Sequence, residues 1–315
     1  MNEVMMKLFA QEVKEGLSQS PKRLSSKWFY DKKGDELFVK IMGLPEYYLT
    51  KCEEEIFEQK TESLISSLIE GVEDFDLLEL GAGDGTKTMH LLSALRDQVF
   101  TYRPIDISSN AIKTLEERVS KELPDVKVEG LQGEYFEVLS KIKSDKPKVI
   151  LFMGSNIGNM LDERANDFLL ELSAAMNKGD RLLLGVDLIK DESIILPAYN
   201  DSLGITAEFN LNLLDRINRE LGGNFNRRFF KHTPRYDKQK GVAYSYITSL
   251  ADQDVRIDAL DQSFHFNEGD RVFTEVSRKY DDKALETITN HTSLVLKNKI
   301  FDSKEYFCDA IYFKE

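Results

Sequence analysis

Residues 77–88, LLELGAGDGTKT, run from an apolar stretch into three glycines within five positions. Glycine adopts left-handed backbone angles without strain and lets backbone N–H groups approach a ligand closely. An acid, Glu79, stands two positions before Gly81, the first of the three; Gly83 and Gly85 follow. Downstream, the segment VFTYRPID ends at Asp106, and GEY sets Glu134 beside Tyr135. A carboxylate at the end of the second strand of an open α/β sheet can accept both hydroxyls of a ribose. An acid next to an aromatic ring can hold the edge and the face of an adenine. The chemistry implied is a cradle for a nucleotide-like cofactor. Dinucleotide enzymes also carry glycine loops, so the loop alone does not choose the ligand. Their stricter G-x-G-x-x-G pattern would need glycine where this chain has Thr86. Asp106 also has an ordinary reading, as a cap on a helix that begins near Ser108.

A second group of residues offers handles for a small substrate. Asn159 follows the apolar run KVILFMG and brings both a donor and an acceptor. Glu275 and Ser277 stand two apart in TEVS, so on a strand they share one face. Tyr30, Tyr47 and Tyr199 join them only as a set, since single tyrosines are more often half-buried packing residues. Asn159 could equally cap a helix starting near Leu161, and Glu275 could be a solvated strand carboxylate.

These residues need elements to position them. From residue 75 the pattern alternates apolar strands (FDLLEL, VFTYRPID, VKVEGLQG, KVILFMG, DRLLLGVDL) with amphipathic helices (GTKTMHLLSALRD, SSNAIKTLEERVSKEL, RANDFLLELSAAMN). That rhythm predicts an α/β fold with a parallel sheet, Ser108 serving as a helix N-cap. After Asp187 the rhythm stops. ITAEFNLNLLDRINREL reads as a long helix, and VAYSYITSL and VRIDALDQSFHF as antiparallel strands. EYFCDAIYFKE reads as a final strand at or near a sheet edge. Before the core, DELFVKIM reads as a short helix ended by Gly43 and Pro45, and KCEEEIFEQKTESLISSLI as helical. The expected division is a cofactor domain of residues 56–192 and 283–315, and a smaller α+β substrate-binding domain of residues 1–55 and 193–282.

Composition narrows the function classes. The 315-residue chain is 41% hydrophobic with seven prolines, as a globular protein should be. Its formal net charge of −13 opposes general nucleic-acid binding. The basic stretch NRRFFKHTPRYDKQK at 226–240 runs against that balance and reads as a solvated strand and turn. No apolar run nears the roughly 18 residues that span a bilayer. The opening MNEVMMKLFAQEVKEG has neither the apolar segment nor the cleavage site of a signal peptide. Cys52 and Cys308 have no metal-ligand spacing and read as a reduced pair, and the four histidines are scattered, so no metal site is expected. A cytoplasmic monomer acting on a small molecule is the expectation.

The succession of glycine loop, second-strand acid and acid–aromatic pair resembles the S-adenosylmethionine-dependent class I methyltransferases, with their Rossmann-like sheet. In that class the glycine loop faces the methionine portion, the acid the ribose and the pair the adenine. The resemblance implies S-adenosylmethionine as cofactor, held by Gly81, Gly83, Lys87, Asp106, Glu134 and Tyr135. Longer stretches narrow it further. YDKKGDELFVKIMGLPEYYLTKCEEEI, LFMGSNIGNM, LPAYNDSLGITAEFNLNLLDRINRELGGNF and FTEVSRKY together resemble the histidine-specific Nα-methyltransferases of ergothioneine biosynthesis, in the right order over nearly the whole chain.

This narrower resemblance implies transfer of a methyl group to the α-amine of L-histidine, up to the trimethylated betaine. Asn159 and Tyr199 would anchor the substrate's backbone groups. Tyr30 and Tyr47 would line the cavity and, with Asn159, act in catalysis. Glu275 and Ser277 would grip both nitrogens of the imidazole. Three positions depart from the family pattern. Glu134-Tyr135 replaces a commoner Asp-Phe pair, a conservative change. The glycine loop is of the general methyltransferase form rather than the family's Ser-Gly-Thr type. Ser245, within AYSYITS, stands where the histidine enzymes carry a methionine near the imidazole. Another amino acid or a small amine therefore stays open as acceptor. A nicotinamide-dependent oxidoreductase on the same sheet is the rival from a different class.

Overall fold

The computed structural model describes residues 3–83, 85–142 and 144–315; Asp84 of the glycine loop lies outside them. The chain forms two compact units, one of residues 1–48 and 190–277 and one of residues 49–189 and 278–315. The chain passes between them at 48/49, 189/190 and 277/278. The sequence pattern set these passages at 55/56, 192/193 and 282/283.

The second unit is built on an eight-stranded sheet. Its strands run in the order Leu294–Phe301, Phe307–Lys314, Arg181–Asp187, Lys148–Phe152, Asp74–Leu80, Val99–Asp106 and Lys127–Val128, with Leu131–Gln132 also pairing Val99–Asp106. The strands from Arg181–Asp187 to Lys127–Val128 are parallel, as the β-α alternation predicts. The C-terminal strand is antiparallel to Arg181–Asp187, with Asp309 opposite Gly185, and lies one strand in from the edge. The central strands are buried along almost their whole length, because helices cover what a half-exposed sheet would leave to water. Leu78, Ile150, Phe152, Phe168, Leu169 and Leu184 belong to one apolar core.

Two local readings differ from the sequence pattern. VKVEGLQG is not one strand but two short ones, Lys127–Val128 and Leu131–Gln132. At Gly130 between them, a Cβ would stand 2.2 Å from Ile112 Cγ2, and the Gly130 N–H donates to Glu116 Oε1 at 2.6 Å. The chain leaves the sheet there to press on the Ser109–Glu122 helix. KCEEEIFEQKTESLISSLI forms two helices, Tyr48–Gln59 and Thr61–Leu68, broken at Lys60. Ser108 caps the Ser109–Glu122 helix as expected, accepting from the Ala111 N–H at 3.2 Å.

The first unit holds a four-stranded sheet in the order Lys22–Arg23, Arg271–Arg278, Val242–Ser249 and Phe230–Asp237. VRIDALDQSFHF forms an antiparallel hairpin of its own, Gln253–Ile257 with Gln262–Phe266. The Ile205–Leu221 helix runs through this unit's core, with Phe209, Leu213, Leu214 and Ile217 buried beside Phe9, Trp28 and Phe29. Asp201 fixes its start by accepting from the N–H groups of Ile205 and Thr206 at 2.8 and 2.7 Å. Among the described residues no helix is long and apolar enough to cross a membrane. Cys52 and Cys308 are both buried and form no disulfide.

Candidate functional site

The glycine loop sits at the carboxyl end of the Asp74–Leu80 strand, where open α/β sheets bind ligands. Gly81, Gly83 and Gly85 have φ of 72°, 56° and 67°, a region that other residues enter only with strain. Space adds a second reason at two of them. A Cβ on Gly81 would lie 2.7 Å from the Tyr135 hydroxyl oxygen, and one on Gly85 would lie 2.3 Å from Leu115 Cδ1. Among the described residues nothing lies within 4 Å of the position a Cβ on Gly83 would take, so space is left beside this glycine. The Thr86–Ala94 helix starts directly after it, and Lys87 stands in its first turn.

The acid and the acid–aromatic pair lie around that loop. The Gly81 N–H donates to the Ile105 carbonyl and the Gly133 N–H to the Asp106 carbonyl, at 2.9 and 3.1 Å. These bonds tie the glycine loop and the GEY segment to the same strand end. Asp106 Oδ1 accepts from the Ser108 N–H at 2.8 Å. One carboxylate oxygen thus supports the turn into the helix while Asp106 remains half-buried. The ordinary reading of Asp106 and the functional one are therefore compatible. Tyr135 packs edge-on against Phe152, and its pKa is pushed up to about 12 by burial and then by the charges of Asp106 and Glu134. Glu134 is exposed at the start of the short Tyr135–Leu139 helix. Left-handed glycines, an open centre and a ring closing one side fit an adenosyl sulfonium.

Beneath the loop lies a group of buried carboxyls. Glu79 accepts from Thr88 Oγ1 at 2.7 Å and from the Tyr102 hydroxyl. Burial pushes its pKa up to about 7, against those two hydrogen bonds and the charge of Lys87. Glu53 accepts from Lys87 Nζ with one oxygen and from the Gly154 N–H, at 2.8 Å, with the other.

Asn159 ends the 3₁₀ turn Asn156–Asn159 and is exposed. The next helix has Leu161 as its N-cap, so Asn159 does not cap it. Its loop is pinned from below, with Ser155 Oγ accepting from the Asp187 N–H at 3.0 Å. Asp187 in turn forms a wholly buried ion pair with Lys279 at 2.6 Å. Asn156 Nδ2 lies 4.0 Å from the Cβ position of Gly81 and 3.6 Å from that of Gly154. The sequence pattern did not single out Glu53, Gly154, Ser155 or Asn156; the last three lie in LFMGSNIGNM, whose first glycine was the visible signal.

The remaining site residues belong to the first unit. The Tyr199 hydroxyl donates to Ser277 Oγ at 2.8 Å, both groups being buried. Glu275 is half-buried on the same strand as Ser277. The Tyr30 ring meets Phe38 and Phe209 edge-on, both at 5.6 Å, and Phe38 meets Tyr47 at 6.3 Å. Tyr30 keeps 44% of its surface exposed; desolvation of its hydroxyl, then the charge of Glu275 and the neighbouring Tyr47, raise its pKa, so its phenol stays protonated at neutral pH. Tyr30, Tyr47 and Glu275 thus share one electrostatic neighbourhood, and Tyr199 and Ser277 share a hydrogen bond. Ser245 is buried on Val242–Ser249. Its carbonyl accepts from Thr274 Oγ1 at 3.0 Å, and that hydroxyl also lies 3.1 Å from Asn210 Oδ1. It is through its backbone that Ser245 joins this seam.

The sequence profile of the family described as histidine-specific methyltransferase, SAM-dependent, matches residues 9–314. The chain belongs to this family. It is 35% identical over 271 residues to the histidine N-alpha-methyltransferase of Mycolicibacterium smegmatis, covering 85% of this chain and 83% of that protein. It is 36% identical over 276 residues to the protein of the same name from Mycobacterium tuberculosis, covering 87% and 85%. In fold it is similar to the mitomycin 7-O-methyltransferase MmcR, with a TM-score of 0.50 and 12% identity over 98% of this chain and 68% of that one. The protein is an S-adenosylmethionine-dependent methyltransferase with the class I architecture. Membership in this family sets the nicotinamide reading aside.

Proposed function

We propose that this methyltransferase transfers the methyl group of S-adenosylmethionine to the α-amine of L-histidine, up to three times, giving the trimethylated betaine. The observation that carries the choice of acceptor is the TEVS strand. Ser277 Oγ is held by the Tyr199 hydroxyl at 2.8 Å, two residues from a carboxylate that can take the second imidazole nitrogen. A hydroxyl and a carboxylate so spaced discriminate an imidazole from an apolar side chain, because losing either partner leaves a polar group unpaired.

When bound, the cofactor supplies an electrophilic sulfonium methyl group. Gly81 and Gly83 would receive its methionine portion, with Lys87 near its charged end. Asp106 would take the ribose, and Glu134 with Tyr135 the adenine. Asn159 and Tyr199 would hold the substrate's backbone groups, and Tyr30 and Tyr47 would line the cavity. Holding a neutral amine in line with the methyl group is the main task, since orientation alone accounts for several orders of magnitude in such transfers. Tyr30 acts there as a hydrogen-bond donor rather than as a base, because its phenol is raised. The amine's proton goes to solvent. In the same reading the enzyme is a cytoplasmic monomer that binds neither nucleic acid nor membrane.

Ser245 favours a second reading, in which another amino acid or a small amine is the acceptor. A serine fills less space than the methionine that the family's histidine enzymes carry at this position. Mass spectrometry after incubation with S-adenosylmethionine and a mixed amino-acid pool tests both. Mass increments on histidine alone are expected; increments on another amino acid with none on histidine would refute the first reading.

A further inference from the structure

The C-terminal strand FCDAIYFK places one acid, Asp309, in an otherwise apolar and buried run. Asp309 is 0% exposed, and among the described residues neither carboxyl oxygen has a hydrogen-bond partner. Burying an ionised carboxylate without partners costs several kcal/mol or more, so a group in that position takes up a proton instead. Its neighbour is Glu53, 1% exposed on the Tyr48–Gln59 helix. Both acids converge on the space above Gly185, opposite Asp309 in the sheet. A Cβ there would lie 2.4 Å from Glu53 Oε1 and 3.2 Å from Asp309 Oδ1. Gly185 has an ordinary negative φ, so the two acids explain its lack of a side chain.

The two carboxyls are not equivalent. Glu53 accepts from the Lys87 ammonium with one oxygen and from the Gly154 N–H with the other. Asp309 accepts nothing from the described residues. One ammonium beside two carboxyls balances a single negative charge, and the hydrogen bonds locate that charge on Glu53. The electrostatics agree in direction. Burial, and then the charge of Glu53, raise the Asp309 pKa well above the usual carboxylate range, against the pull of Lys87. Burial opposes the charged form of Lys87, but the charge and hydrogen bond of Glu53, with smaller contributions from Asp309 and Glu79, outweigh it.

Both groups held by Glu53 belong to the loops that would receive the methyl donor. Lys87 lies in the first turn after the glycine loop, and its Nζ is 3.8 Å from the Cβ position of Gly154. Gly154 has φ 71° and follows the Lys148–Phe152 strand. We propose that Glu53 and Asp309 act as one buried acid pair sharing a single proton, and that Glu53 thereby positions Lys87 and Gly154 to set affinity for the methyl donor. Both are positioning residues. The inference rests on the reading of the glycine loop as the S-adenosylmethionine site.

Isothermal titration with S-adenosylhomocysteine, beside thermal melting of the apo proteins, tests it. Glu53→Gln is expected to weaken binding at least tenfold and to raise the donor KM in proportion, with kcat at saturating donor within about twofold. Asp309→Asn, whose amide stands in for the neutral acid, is expected to weaken binding less than threefold. A loss confined to Asp309→Asn would place the charge on the other acid, and equal losses would remove the difference between the two; either result overturns the proposal. Should Glu53→Gln fail to fold, Glu53→Asp takes its place, with the charge on a shorter arm and the same tenfold loss expected. Wild-type binding with an unaffected Glu53 variant overturns this proposal alone. A wild type that does not bind S-adenosylhomocysteine overturns the cofactor reading and this proposal with it.

Discussion

Replacing Glu79 by glutamine should change how the stability of the cofactor-binding unit responds to pH. Glu79 is buried on the Asp74–Leu80 strand, and its pKa stands at about 7 against an ordinary 4.5. Between these two values the folded protein keeps a proton that the unfolded chain has released. Stability therefore falls as pH rises, with the full contribution present below 4.5 and gone above about 7. At 1.36 kcal/mol per pKa unit the whole effect is about 3 kcal/mol. Glutamine resembles the protonated acid in shape and does not titrate. Hydrogen exchange at the Leu77 and Leu78 amides, compared between the two proteins at matched pH, cancels the intrinsic rate and isolates the difference. Relative to Glu79→Gln, the wild type should lose about 1.4 kcal/mol per pH unit from pH 5 to 7 and then level off. A difference that stays constant across this range would refute the reasoning. It would mean that the hydrogen bonds from Thr88 and Tyr102 outweigh burial.

Three further substitutions probe the candidate site. Gly81→Ala puts a side chain at φ 72°, 2.7 Å from the Tyr135 oxygen. With about 1–2 kcal/mol of backbone strain, it should lower the melting temperature and weaken S-adenosylhomocysteine binding several-fold by calorimetry. Asp106→Asn keeps an oxygen for the Ser108 N–H but removes the charge offered to a ribose. Losing a charge-assisted bond of about 1.5–3 kcal/mol should weaken the same ligand at least tenfold without changing the melt, and undiminished affinity would remove the ribose assignment. Tyr199→Phe deletes the bond to Ser277, about 0.5–1.5 kcal/mol. The histidine KM should rise roughly two- to tenfold while the donor KM stays put; a change in the donor KM instead would misplace Tyr199.

What could be read from the sequence was whatever a residue type alone constrains. Three glycines near φ 60–70° are visible as glycines, and an acid closing an apolar strand is visible as Asp106. The α/β class followed from alternating apolar and amphipathic runs. Features that depend on a neighbour remote in the chain were not legible. LVLKNKIF forms an edge strand of the sheet, but Lys297, Asn298 and Lys299 split its apolar residues, so no regular strand alternation marks it. Gly130 lies between two short strands where the backbone runs so close to the next helix that a Cβ would stand 2.2 Å from Ile112. Glu53 sits among three consecutive glutamates, and nothing in EEE reveals that this one alone is 1% exposed and bonded to Lys87. Asp309 stands out as an acid inside FCDAIYFK, but its meaning depends on Gly185 lying opposite, so it too went unread.

The placement of buried charge in the second unit separates structural pairing from positioning. At the amino ends of the parallel strands, Lys148 and Asp180 pair at 2.8 Å, and Asp180 also accepts from the N–H groups of Lys148 and Asn177. One cation meets one anion there, and both anion oxygens are satisfied. The arrangement near the carboxyl ends is different. Glu53, Glu79 and Asp309 gather around the single ammonium of Lys87, and two of the three have raised pKa values. A buried ion pair adds little net stability compared with apolar packing, and an excess of buried acid subtracts from it. Folding alone therefore gives no reason for that cluster. Its position under the glycine loop, at the strand ends where sheets of this kind bind ligands, gives one. The fold tolerates the electrostatic cost because these carboxyls hold Lys87, Gly154 and the first turn after the loop in place before any ligand arrives. Neutralising Glu79 and Asp309 as amides, with the Glu53–Lys87 pair kept, should then raise the melting temperature at neutral pH, whereas Glu53→Gln, which strands the buried ammonium, should lower both stability and affinity.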